Sequence, residues 1–96
     1  MAEPARWRAI SGFTLYWHSW GHEHIVYNVG SGDTHLFNEF AALILSTLQD
    51  KTATIDELSQ LYATSFGRNE DEELRAQLNE LLFELDRLGM IERIHL

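Results

Sequence analysis

Hydrophobic positions in this chain follow two periods, and the change falls at Asn38. Upstream, they alternate. Phe13, Leu15 and Trp17 fall on one face of an extended segment, with Thr14, Tyr16 and His18 on the other. Aromatic and β-branched residues are common in both this run and the next, which favours strands over Phe13 to Trp20 and His24 to Val29. Gly21-His22-Glu23 supplies the turn between them. Gly30-Ser31-Gly32-Asp33 supplies a second, because glycine takes positive φ without a steric penalty. Thr34-His35-Leu36-Phe37 is then long enough for one short strand. Three strands joined by short turns predict an antiparallel meander. Residues 1–12 carry Trp7 and Ile10 among polar neighbours, so they read as a tail or short edge strand anchored by Trp7.

Downstream, the period becomes helical. Asn38 is a good N-cap, since its side chain can accept a bond from a free N–H of the first turn. Phe40, Leu43, Ile44 and Leu48 then mark the buried stripe of a helix running to about Leu48. Asp50-Lys51-Thr52 breaks it. Thr54-Ile55-Asp56-Glu57 fits a capping box and opens a second helix, whose apolar face is Ile55, Leu58, Leu61, Tyr62 and Phe66. Gly67 ends it. Glu70-Asp71-Glu72-Glu73 complements the macrodipole of a third helix. Leu74, Leu78, Leu81, Leu85 and Leu88 follow at spacings of four and three, which predicts one wall of the core with Leu81 at its centre. Gly89 caps the helix, and Met90 to Leu96 reads as a short final strand or extended tail. The fold class is therefore α+β: a three-stranded antiparallel meander followed by three helices, in winged-helix order.

Composition narrows the function. The 96 residues suit one domain, 1–96, and 45% hydrophobic content is globular. The chain lacks cysteine, so neither disulfides nor thiolate metal sites are available. No apolar run approaches the ~20 residues of a membrane span, and residues 1–6 lack a signal-peptide core, which gives a cytoplasmic expectation with no membrane partner. The net charge is −8, with Lys51 the only lysine. Nucleic-acid affinity depends on neutralising phosphates with Lys and Arg, so nucleic acid is not an expected partner.

Candidate chemistry is sparse. His18, His22 and His24 flank the first turn, but Glu23 points opposite to its two neighbours, and they read as solvated turn histidines with no metal expected. Ser31, Asp33 and His35 belong to one turn and strand and cannot converge as a catalytic triad beside an oxyanion hole. Gly30 to Asp33 lacks the lysine and the following helix of a phosphate loop. No enzyme activity and no cofactor are expected. Phe83 stands out, because at ~100° per residue it lies roughly opposite the leucine stripe, beside Ala76, Asn79 and Arg87. It marks a binding face, or else the Trp7 tail or a homodimer partner covers it.

Three stretches carry a family resemblance: Leu36-Phe37-Asn38 leading into Phe40-Ala41-Ala42-Leu43-Ile44-Leu45; Thr54-Ile55-Asp56-Glu57-Leu58; and Leu81 to Ile91, ending Arg87-Leu88-Gly89-Met90-Ile91. In this order they resemble the PqqD family. Trp7, Trp20, Val26-Tyr27-Asn28 and Ser31 to Leu36 are similar to one branch of it, the PqqD-like proteins of the HPr-rel-A system. Gln49-Asp50-Lys51 departs from the Asp-Gly turn usual there. The resemblance implies a non-catalytic peptide chaperone, or RiPP recognition element. Such a domain binds a precursor or leader peptide by strand addition and presents it to a modifying enzyme. It implies a site between the third strand (Thr34, His35, Leu36, Phe37) and the outer flank of the third helix (Ala76, Asn79, Phe83, Arg87). The alternatives are an adaptor for an HPr-kinase-like partner and, behind it, a winged-helix DNA-binding regulator.

Overall fold

In a computed structural model, which describes residues 5–10 and 15–94, the chain forms two three-stranded sheets and three helices. The order is β1 (Arg6–Ala9), β2 (Leu15–Trp20), β3 (Glu23–Asn28), β4 (Thr34–Asn38), α1 (Glu39–Asp50), β5 (Ala53–Thr54), α2 (Ile55–Phe66), α3 (Glu72–Arg87) and β6 (Ile91–Ile94). The fold is α+β, as the change of period predicts. Phe13 and Thr14, assigned above to the first strand, Ser11-Gly12, and the terminal residues 1–4 and 95–96 lie outside the described residues.

The meander β2-β3-β4 is antiparallel throughout. Asn28 sets its second turn. Its side-chain carbonyl accepts from the Gly30 and Ser31 amides at 2.9 and 3.3 Å, and its own N–H donates to the Asp33 carbonyl at 2.8 Å. Gly32 takes φ +78° within that turn. The chain is thereby returned as β4 and delivered to Asn38, whose Oδ1 accepts from Ala41 N–H at 2.9 Å and starts α1. Thr54 and Glu57 close the capping box of α2, and Gly67 ends it in the left-handed region. Asp71 is the N-cap of α3, its Oδ1 accepting from Leu74 N–H at 2.8 Å.

Two expectations need correction. Arg6–Ala9 is not an edge strand or tail. β1 is the middle strand of the second sheet, with β5 on one side and β6 on the other. Trp7 packs on the core, and the Arg93 guanidinium lies 5.9 Å from its ring centroid. The second correction concerns the helical phase. Leu74, Leu78, Leu82 and Leu85 are the buried residues of α3, whereas Leu81 is only half-buried. Leu81 and Leu82 flank the line through Leu78 and Leu85, roughly 50° to either side of it at ~100° per residue. The core claims the Leu82 flank, and the Leu81 flank opens toward β4. The main core joins Val26, Ile44, Leu45, Leu48, Leu58, Leu78, Leu82, Leu85 and Ile91.

Candidate functional site

The candidate site lies along the edge of β4. Among the described residues β4 pairs only with β3, so its other edge keeps unpaired backbone groups. Beside it lies a cleft of about 630 Å³ between β4, the start of α1 and the flank of α3. Leu36, Phe37 and Asn38 form one wall, and Gln77, Glu80 and Leu81 form the other. Phe40, Ala41 and Tyr62 also line it, with Arg68 at one end.

Each wall follows from local sequence. Alternation along β4 turns His35 and Phe37 toward the inside, where Phe37 packs on the core and the two rings stack at 5.9 Å. Leu36 points the other way and is 65% exposed. Phe40, in the first turn of α1, meets Tyr62 at 4.2 Å between ring centroids. Tyr62 is clasped in turn by Phe66 at 4.7 Å and by Arg68, whose guanidinium stands 5.6 Å from the ring centroid. Arg68 Nη1 donates to Tyr62 Oη and to Gln77 Oε1, both at 3.3 Å. The bond with Tyr62 holds the Arg68 pKa above the usual guanidinium value.

Of the residues expected to form the site, Thr34 to Phe37 do lie along the open edge. The four on α3 lie elsewhere than the cleft wall. Ala76, Asn79, Phe83 and Arg87 occupy the exposed face beyond Glu80, with Phe83 70% exposed. Arg87 pairs with Glu84 on that face, which lowers the glutamate's pKa. The cleft is lined instead by Gln77, Glu80, Leu81, Phe40, Tyr62 and Arg68, which the sequence reading did not single out for a site. The adjacent Leu81-Leu82 pair was the available signal, since it fits two helical phases and leaves one leucine free for a groove.

The meander also has a bare outer face. Cross-strand pairing aligns Tyr16, Tyr27 and Thr34, then His18, Ile25 and Leu36, on that side. Tyr16 and Trp20 are 63% and 59% exposed, and no Lys or Arg occurs between Arg8 and Lys51. A second cleft, of about 420 Å³, lies between Trp17 and His24 of the meander, Glu39, Leu43 and Ser46 of α1, and Phe66. His24 Nδ1 there is 2.7 Å from Ser19 Oγ, and His22 Nδ1 is 2.9 Å from Glu39 Oε1. This cleft touches β2, the meander's other edge strand, and no residue of β4.

The family model described as coenzyme PQQ synthesis protein D (PqqD) matches residues 23–91. The chain belongs to the PqqD family. PqqD proteins are RiPP recognition elements, non-catalytic domains that bind precursor peptides and work with modifying enzymes. The matched span contains β3, β4 and all three helices, and so both walls of the cleft. Of the residues that carry the resemblance to the HPr-rel-A branch, Val26 to Asn28 and Ser31 to Leu36 fall within it, and Trp7 and Trp20 fall outside it. No curated protein and no solved structure matches the chain. Among the described residues no helix is long and apolar enough to cross a membrane.

Proposed function

We propose that this PqqD-family chain acts as one peptide-chaperone domain, adding a precursor or leader peptide to β4 and holding it against α3 for a modifying enzyme. The observation that carries this is an unpaired strand edge directly beside a cleft lined by both apolar and polar side chains. Main-chain bonds to β4 supply affinity, and side-chain contacts in the cleft supply selectivity. Thr34, His35, Leu36 and Phe37 present the edge. Leu81 and Phe40 receive inward side chains. Ala76, Asn79, Phe83 and Arg87 lie outside the cleft on α3 and are accessible while the peptide is bound.

That accessible face favours a second reading, an adaptor that docks an HPr-kinase-like partner as in the HPr-rel-A branch, with Phe83 in the contact. DNA binding is disfavoured. The exposed start of α3 carries Asp71, Glu72 and Glu73, which repel phosphates.

Proline substitutions test strand addition. Backbone N–H groups alternate between the two edges of a strand, so of His35 and Leu36 one donates to β3 and the other faces outward. Leader peptides encoded near this chain's gene are titrated against His35→Pro and Leu36→Pro. One variant should lose thermal stability; the other should keep its melting midpoint and lose peptide affinity. If both fold and both bind as the parent does, the β4 edge is not the site.

A further inference from the structure

The cleft carries one anomaly of charge. Among the described residues Arg6, Arg8, Arg75 and Arg87 each pair with a carboxylate: Glu57, Glu92, Asp56 and Glu84 in turn. Arg68 and Arg93 make no such pair, although the chain has fifteen acids to seven bases; Arg93 lies over the Trp7 ring, whereas Arg68 lines the cleft. The partners of Arg68 are neutral oxygens, Tyr62 Oη and Gln77 Oε1, and the face of the Tyr62 ring. These contacts hold the guanidinium at the cleft; the Asp71 and Glu73 charges also act on it, but neither carboxylate forms an ion pair with it. A cation fixed in advance loses little freedom when a ligand binds. Its planar fork matches a carboxylate in two parallel hydrogen bonds.

Resting on the proposed peptide-binding function, we infer that Arg68 selects an extended peptide with an acidic side chain at its head and an apolar side chain two residues further on. The spacing comes from the two elements. Arg68 touches Gln77, and Leu81 lies one turn further along α3, roughly 6 Å. Side chains on one face of a strand repeat every two residues, about 6.6 Å. An acid that reaches Arg68 therefore places the next inward side chain against Leu81 and Phe40. Glu80 lines the same stretch and repels a second acid there.

Direction follows as well. Arg68 packs on Tyr62, and Tyr62 on Phe40, just past the Asn38 end of β4. The meander is antiparallel, the more stable pairing per residue, and an antiparallel guest enters at the Asn38 end. The acid thus precedes the apolar residue: Asp or Glu, any residue, then Leu, Ile, Phe or Met.

The test is selection of random linear peptides displayed against the full chain, followed by synthesis of the best binder. The expected yield is the acid-any-apolar order. Arg68→Glu should weaken the synthetic peptide about tenfold or more, and changing the peptide's acid to lysine should restore affinity to that variant alone, as paired charges at an interface require. Arg68→Gln, with a melting curve, separates lost charge from lost packing. Binders that shift β4 amides but carry no acid, or that bind Arg68→Gln equally well, overturn the role of Arg68 and leave strand addition standing. Binders that leave β4 amides unmoved, or no binders at all, overturn strand addition and the inference with it.

Discussion

The two sheets each have three strands, but they come from the chain in opposite ways. One gathers the N-terminal β1, the central β5 and the C-terminal β6. The other is three consecutive strands joined by short turns. In the first, Trp7, Ala9, Ala53 and Ile91 all pack on the core. In the second, only the inner face does so, through Leu15, Trp17, Val26 and Phe37. Its outer face shows Tyr16, Trp20, Tyr27 and Leu36 to solvent, and its β4 edge is open. The first sheet closes the fold, while the meander offers surfaces. α3 repeats this contrast within one helix, with Leu82 at 2% exposure in the core and Leu81 half-buried at the cleft.

The largest expected effect tests that division on α3. Leu82→Ala should cost ~2–5 kcal/mol, the usual result of a cavity in a close-packed core. Leu81→Ala should cost only about 1 kcal/mol, because part of its surface already meets water, yet it should weaken a bound peptide by ~1–3 kcal/mol as a lost anchor. Denaturant melts and peptide titrations of both variants read the two quantities. Equal losses of stability would place both leucines in the core and remove the cleft's apolar wall.

A smaller effect is expected on the outer face of the meander. Tyr16→Ser and Trp20→Ser should each change stability by no more than roughly 0.5 kcal/mol, as substitutions on an exposed surface usually do. A drop of several times that size would mean that a second copy or the Trp20–His18 contact, at 4.4 Å between ring centroids, stabilises this face. Repeating the melts across protein concentrations distinguishes these causes, because only a dimer makes the midpoint depend on concentration.

Local rules made the meander and helices legible. The Asn38 cap, the Thr54–Glu57 box and the Gly67 terminus each involve residues within one turn of one another, and each forms as its sequence suggests. The β5-β1-β6 sheet was illegible for the opposite reason. Arg8 faces Glu92 across the whole chain, and no local period announces such a pairing. The candidate cleft was half legible. Its strand wall follows from turn and cap chemistry, but its helix wall depends on which of Leu81 and Leu82 the core takes. A leucine repeat alone does not fix that choice. Arg68 was invisible as a candidate site residue because its place at the cleft depends on contacts with Tyr62 and Gln77, which only the folded chain brings to it.

The smallest effect concerns how the meander is tied to α1. His22 sits in the β2–β3 turn, and Glu39 is the first residue of α1. Their 2.9 Å contact raises the imidazole pKa above 6.5, first through the hydrogen bond to Glu39 and then through its charge. The folded state therefore holds this proton more tightly than the unfolded chain does. The pair's contribution to stability is fully present below the unfolded value near 6.5. It fades as pH rises through the raised folded value. Both groups are exposed, so salt screens the contribution. The informative measurement is the titration of the His22 ring protons by NMR rather than a melt. The midpoint should lie above that of a free histidine, fall on Glu39→Gln, and fall again as salt is added to the parent. An unshifted His22 that ignores the Glu39 change would mean that the first turn moves independently of α1. The meander would then be held to the helices only through its inner face and the Asn38 junction.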